Sequence, residues 1–307
     1  AATAADHFSG TQVISSATPS KIFSWVHDTI EVDPKWGATK SPVGTLREEL
    51  GTSWDQAWLL QELLIASGVD ARLEWGEVQI DLDQLRDLTG VEDAWRAGDM
   101  MTTAGTPFVL LTQNAQPVAA RMDHVWVKAH LDYVPRRAAL PHGTGDTWVR
   151  MDPTIKQYNE TEGIQLYDKV PFTLESYLLS GTTESPRRVY EDAMWQYIRD
   201  NNIECATLEQ VKRARSIQQE SFPFVPGSLR AKVVSVDGES STTPDNFQYQ
   251  IAFDVRDLTG RSLLQWSAPW PSVYGTRLEL AWPGATADDQ ATLDAEGGVF
   301  ETAPYLV

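Results

Sequence analysis

Cysteine is nearly absent: Cys205 is the single one in 307 residues. No intrachain disulfide can form, and one isolated thiol does not assign a redox compartment. Basic charge is also scarce, with 25 Lys plus Arg against 43 Asp plus Glu and a net charge of −18. Such a surface repels nucleic acid and anionic membranes, so no nucleic-acid partner is expected. Apolar runs are short. None approaches the roughly 20 residues that span a bilayer, and Ala1 to Gly10 has neither the basic start nor the apolar run of a secretory signal. No membrane insertion is expected. The chain begins without Met and stops at Ala303-Pro304-Tyr305-Leu306-Val307, which predicts a piece of something longer.

Cofactor signatures are missing as well. His124, His130 and His142 lack ligand spacing with a cysteine or a second carboxylate, so no metal is expected. Gly143-Thr144-Gly145 and Gly297-Gly298 do not follow a strand and open a helix, so no nucleotide, and no cofactor of any kind, is implied. Asp81-Leu82-Asp83 and Asp288-Asp289 could meet calcium, but solvated acidic faces are the commoner cause of such pairs.

What is present is periodic. Lys21 to Ile30 places Ile22, Trp25, Val26 and Ile30 at helical spacing after Thr18-Pro19-Ser20, which supplies a cap and a first turn. From Trp54 to Ser67 apolar residues surround the axis until Gly68 ends the run, so this helix belongs in the interior. Ala71 to Ile80 predicts a strand, and Asp83 to Met101 an exposed helical insertion of unknown role. From His124 the alternation predicts a one-sided strand, with Val125, Val127, Ala129 and Leu131 opposite His124, Trp126, Lys128 and His130. Pro135 to Gly145 reads as a turn, and Thr147 to Asp152 as a second strand of a hairpin. Glu191 to Gln219 predicts one or two amphipathic helices. Leu229 to Val236, Phe247 to Val255 and Arg277 to Trp282 read as short strands of a separate unit.

Three segments fall in a telling order. Gly51-Thr52-Ser53-Trp54-Asp55-Gln56-Ala57 opens the apolar helix, His124-Val125-Trp126-Val127 opens a strand, and Trp148-Val149-Arg150-Met151-Asp152-Pro153-Thr154 closes the next. Singly, each has a plain explanation. Ser53 with Gln56 fits a capping box, as does Thr52 with Asp55; a lone strand histidine is usually structural, and Asp before Pro is a common turn starter. The ordered triple resembles the nucleophile, histidine and aspartate segments of the transglutaminase-like superfamily, with serine where that family carries cysteine. The resemblance implies an α+β fold with a papain-like core, a buried helix packed on an antiparallel sheet, followed by helices and a small all-β domain. The expected boundaries are a transglutaminase-like domain at 1–185, a helical connector at 186–222 and a small β domain at 223–307.

The same resemblance implies roles. Ser53 occupies the nucleophile position, His124 acts as base and then acid, and Asp152 holds the ring tautomer. Trp36 is a candidate oxyanion donor beside the Ser53 N–H, although a packing role is commoner for such a tryptophan. Trp54, Trp126 and Trp148 could wall an aromatic cleft for an extended peptide or a sugar, whereas Trp58 reads as core. His124 through Tyr133-Val134-Pro135-Arg136-Arg137, then Gly145-Asp146-Thr147-Trp148 and Lys156-Gln157-Tyr158, resemble the transglutaminase-like region beside RHS or YD repeats in very large bacterial surface and secreted proteins. Leu278 to Val307 resembles the segment that follows it. An extracellular or envelope setting, a protein or peptide substrate, and the remaining domains of an RHS/YD-repeat chain as partners are then expected.

Serine at 53 restricts the chemistry. An alcohol ionises many units above a thiol, so the thiolate–imidazolium pair of this superfamily cannot form. Three readings stay open: an engineered Cys-to-Ser change in an acyltransferase or peptidase, a natural pseudoenzyme that binds peptide or glycan or serves a structural role, and a working serine nucleophile.

Overall fold

The structure, a computed structural model, describes residues 18–131, 147–162, 166–203, 213–220, 229–256, 258–276 and 286–295. The chain divides into two compact units, Ala1–Ile155 with Ser221–Val307, and Lys156–Glu220. The fold is α+β. The larger unit opens with α1 (Pro19–Thr29), then α2 (Pro42–Glu48) between the short parallel pair β1 (Glu31–Val32) and β2 (Leu50–Gly51). It is built on a six-stranded sheet around β3 (Ala71–Ile80) and the 16-residue β5 (Gln116–Leu131), which pair antiparallel from Ala71↔Ala129 to Ile80↔Ala120. Three further helices matter most for the site: α3 (Ser53–Ala66), α4 (Leu82–Thr89) and α5 (Ala94–Thr103). The predicted start of α1 is realised by its Thr18 side-chain cap with Pro19 in the first turn, whereas α4 begins ahead of the expected Asp83, at a capping box of Asp81 with Gln84. Asp81 thus serves as a cap rather than as part of a cation loop.

The sheet is covered on both faces, but by different elements along its length. Leu73, Val125, Val127, Ala129 and Leu131 bury against α3, whose Trp54, Leu60 and Leu64 are fully excluded from solvent. Val78, Ile80, Ala120, Met122 and Trp126 bury on the opposite face with Leu85 and Leu88 of α4 and Ala97 and Met101 of α5. Burial therefore switches faces partway along β5. Around His124, Val125, Trp126 and Val127 both faces are buried, so the expected one-sided strand is two-sided there. The Asp83–Met101 insertion supplies the second cover.

On its far edge β5 has two partners in succession. β4 (Phe108–Gln113) pairs along Gln116 to Met122, and β6 (Thr147–Met151) pairs along Val127 to Leu131. The hairpin-like pairing expected for 124–131 with 147–152 is present over Leu131↔Thr147 to Val127↔Met151; its Pro135–Gly145 connection lies outside the described residues. Residues 123–126 are left between the two partner strands, and His124 sits in that gap.

In the smaller unit, α6 (Leu166–Lys169) and α7 (Leu174–Leu179) precede α8 (Pro186–Asp200), which carries the first part of the predicted helical stretch. The later part is different: β8 (Arg213–Ile217) is a strand, paired with β7 (Tyr158–Glu162). Alternating Arg213, Arg215 and Ile217 satisfy a ladder as readily as a helix, and the available partner strand decides.

The C-terminal segment differs from the expectation of a separate β domain. β9 (Lys232–Val233) and β10 (Gly238–Ser240) join the main sheet on the free edge of β3. The close approach needs glycine: a Cβ on Gly76 would lie 2.2 Å from the Ser235 carbonyl oxygen. β11 (Gln250–Arg256) and β12 (Ser262–Pro269) form a two-stranded hairpin, while Arg277–Trp282 lies outside the described residues.

Candidate functional site

Ser53 is the first helical residue of α3 and is half-buried. It is not the cap. Thr52 is, with its hydroxyl accepting the Asp55 N–H at 3.1 Å while the Asp55 carboxylate accepts the Thr52 N–H at 3.1 Å. Of the two capping boxes legible in the sequence, the structure forms Thr52–Asp55. The Ser53 hydroxyl makes no hydrogen bond among the described residues, and its N–H, in the first turn, has no acceptor within the helix. A helix N-terminus with a spare N–H favours negative charge next to it.

The loop that faces this helix start is held by Asp55. Its Oδ1 accepts the N–H groups of Thr39 (2.8 Å) and Lys40 (3.0 Å), and its Oδ2 accepts the Thr39 hydroxyl at 2.7 Å. Thr52 adds a further tie by donating to the Gly37 carbonyl at 2.8 Å. Burial pushes the Asp55 carboxyl above the usual carboxylate range, against the pull of hydrogen bonds from Lys40, Thr39 and Thr52. Desolvation wins because the residue is fully excluded from water. Gln56 completes the frame by donating to the Glu31 and Gly51 carbonyls at 3.1 and 2.9 Å.

His124 and Asp152 are both fully buried and meet through Nε2 and Oδ2 at 3.0 Å. The other carboxylate oxygen of Asp152 accepts the Thr154 N–H at 2.9 Å, so the Asp-Pro-Thr turn aims it. A carboxylate can only accept here, which places the proton on Nε2 and leaves Nδ1 with a free lone pair. Nδ1 is buried and has no hydrogen-bond partner among the described residues. Ser53 and His124 line one narrow cavity of about 10 Å³, with Asp33, Trp36, Met101 and Thr154 among its other walls. That is space for about one water molecule.

The tryptophans divide. Trp36 lines the cavity and packs edge-on against Trp54 at 5.9 Å. The cleft role expected for Trp54, Trp126 and Trp148 needs correction, since none of them lines the cavity. Trp54 is fully buried and stacked on Phe247 at 4.3 Å. Trp126 is fully buried, its Nε1 donating to Glu74 at 2.7 Å. Trp148 stacks on His130 at 4.8 Å beside the cations of Arg72 and Lys128. Each is at the sheet surface or in a core, where large rings bury most area. Trp58 packs against the core.

Sequence reasoning missed three contributors. Asp55 was legible only as half of a capping box; its reach to residues 39 and 40 is a tertiary fact. Leu88 of α4 and Met101 of α5 wall the cavity, which gives the insertion its place beside the site. The Asp33–Lys35 ion pair at 2.8 Å lies on the segment that lines it. Among the described residues no group of three or more His, Cys, Asp or Glu is arranged to hold a metal ion, and no helix is long and apolar enough to cross a membrane.

No curated protein and no solved structure matches the chain. Residues 3–153 match the family model described as the transglutaminase-like superfamily, a span that takes in Ser53, His124 and Asp152. Over those residues the chain carries a transglutaminase-like superfamily domain.

Proposed function

We propose that this domain is an acyl-transfer or amide-cleaving centre of the nucleophile–His–Asp type, with serine in the nucleophile position, and that it is inactive or nearly so in this form. The observation that carries the reading is the cavity shared by Ser53 and His124, with Nδ1 unpartnered and Nε2 held by Asp152. With a thiol at 53, Nδ1 takes the proton and the helix start favours the thiolate. The sulfur then attacks an amide carbonyl, His124 returns the proton to the leaving amine, and the acyl group passes to an amine or to water. The Ser53 N–H and a second donor, for which Trp36 is the candidate, would face the oxyanion. With serine, the ion pair does not form and the domain is left to bind a protein or peptide.

The alternative, a natural pseudoenzyme binding peptide or glycan, is favoured by one feature: the buried His124–Asp152 pair stands intact beside a hydroxyl nearly isosteric with a thiol. Membership of a larger bacterial RHS/YD-repeat surface protein, with an extracellular or envelope location, rests on the likeness of residues 124–158 and 278–307. The test is chemical. Ser53→Cys protein is treated with iodoacetamide at neutral pH, and labelling at 53 and at Cys205 is followed by mass spectrometry. We expect at least about tenfold faster labelling at 53, abolished by His124→Ala; equal rates at the two positions sink the acyl-transfer reading.

A further inference from the structure

The wall of the cavity that carries Trp36 is assembled from distant parts of the chain. Trp36 lines the cavity with Ser53 and His124, and its ring meets Trp54 at 5.9 Å and Phe247 at 6.0 Å, edge-on in both contacts. Phe247 in turn stacks on Trp54 at 4.3 Å and meets Trp75 of β3 at 5.3 Å. Residue 247 lies well beyond the 3–153 span of the family match, so the ring behind Trp36 comes from a part of the chain that this match does not cover.

The main chain holds that ring in place. Ala38 N–H donates to the Phe247 carbonyl at 2.7 Å, and Tyr249 N–H donates to the Ala38 carbonyl at 3.0 Å. Gly37, at φ +84°, permits the approach, since a Cβ there would lie 3.1 Å from the Phe247 carbonyl oxygen. Farther back, Gln61 of α3 donates to the Ser241 carbonyl at 2.9 Å, and β9 and β10 pair with β3. All these bonds use main-chain atoms of the C-terminal segment, so a changed side chain at 247 leaves them available. Asp33, Pro34 and Lys35 line both the cavity and an open groove of about 570 Å³, which Tyr249 also lines. The cavity itself has space for about one water molecule, so the position of the Trp36 ring decides what reaches residue 53. A ring packed against other rings at interior density cannot swing aside without losing those contacts.

We propose that Phe247 is a specificity-determining residue of this site: it holds the Trp36 ring against the cavity and so excludes bulky groups next to the atom that reacts at position 53. It acts through Trp36 and is a positioning residue. The proposal rests on residue 53 as the reacting centre, but its test reads size selectivity and needs no acyl transfer.

Ser53→Cys protein is labelled at neutral pH with iodoacetamide or with iodoacetanilide, and modification at 53 is followed by mass spectrometry. Both reagents lose iodide to the thiolate in the same way and differ by one phenyl ring; N-acetylcysteine supplies their intrinsic rate ratio. Relative to that ratio, position 53 should prefer iodoacetamide about tenfold. Phe247→Ala, which leaves room behind Trp36, should cut the preference to about twofold or less, Phe247→Leu should give an intermediate value, and Phe247→Tyr should retain it. On a Trp36→Ala background Phe247→Ala should change the ratio no further, because both act through one ring. A cooperative urea transition verifies that each variant folds, and Phe247→Leu supplies the reading if Phe247→Ala does not fold. Leu131→Ala, a core truncation on β5 beyond the register partner of Trp75, controls for general loosening and should keep the preference. No preference at 53, an unchanged preference in the folded Phe247 variants, effects of Trp36→Ala and Phe247→Ala that multiply, or an equal loss in Leu131→Ala each overturns the proposal. A thiol at 53 that labels no faster than Cys205, yet shows a Phe247-dependent preference, would instead sink the acyl-transfer reading and leave the size filter standing.

Discussion

Two regions border the cavity, each organised by a buried aspartate. In the loop-to-helix region, Asp55 accepts four hydrogen bonds, from Thr39 twice, Lys40 and Thr52. In the strand-gap region, Asp152 accepts two, from Thr154 and His124. Three of Asp55's four donors are backbone N–H groups that cannot move without unfolding the loop, whereas one of Asp152's two is an imidazole with a free nitrogen on its other side. The first carboxylate fixes a scaffold; the second orients a group that can still exchange a proton. Burial alone does not separate these tasks, since both residues are fully excluded from solvent. The identity of the donors does.

The sharpest break of this comparison is Asp55→Ala. It strands the Thr39, Lys40 and Thr52 N–H groups, and we expect a loss of about 3 kcal/mol of stability by urea unfolding. A loss below about 1 kcal/mol would mean that water or a rearranged loop replaces the carboxylate. Asp152→Asn should act on chemistry more than on stability. The amide can keep the Thr154 hydrogen bond but presents an N–H to Nε2, which moves the imidazole proton to Nδ1. In the Ser53→Cys protein this should slow iodoacetamide labelling by about tenfold, equivalent to ~1.4 kcal/mol, while the urea midpoint moves little. A large stability loss with unchanged labelling would assign Asp152 to the scaffold instead.

Smaller effects refine the first region. Thr52→Ala removes the cap on the Asp55 N–H and the tie to the Gly37 carbonyl, for about 1 kcal/mol, and Thr52→Ser should restore most of it. The smallest effect is in pH. The Asp55 carboxyl titrates higher in the folded protein than its ordinary value of 3.8. Between those values the folded state keeps a proton that the unfolded chain has released, so this residue's contribution to stability falls as pH rises through the window. Compared with Asp55→Asn, the unmodified protein should therefore gain relative stability on going from pH 7 to about 4.5. An advantage that instead grows with pH would show that the four hydrogen bonds outweigh desolvation.

Much of the fold could be read from the chain. The predicted strand Ala71–Ile80 coincides with β3, the helix starting after Thr18-Pro19 with α1, and the all-round apolar run with the buried α3. These signals are local: alternation, capping and helical spacing are written in neighbouring residues. Other expectations depended on which surfaces meet. The strand around His124 looks one-sided until α4 and α5 cover its polar-looking face, where Trp126 finds Glu74 as a buried partner. Trp54, Trp126 and Trp148 looked like cleft walls because a tryptophan suits a cleft and a core equally well. The run 213–217 suited helix or ladder, and the partner strand at 158–162 settled it.

The sequence by itself determined the secondary-structure starts, the acidic surface and the ordered triple of Ser53, His124 and Asp152, because each is carried by residue type and short-range spacing. Only the tertiary structure decided that Thr52 caps the helix and leaves the Ser53 hydroxyl without a hydrogen bond among the described residues. Only it decided that β4 and β6 part at His124 to open the sheet, and that the insertion and the C-terminal segment wall a groove beside the cavity. The physical reason is distance along the chain. Residues 53, 124 and 152 come together only once α3 has buried its apolar surface on the sheet, and no local propensity records which buried faces will meet.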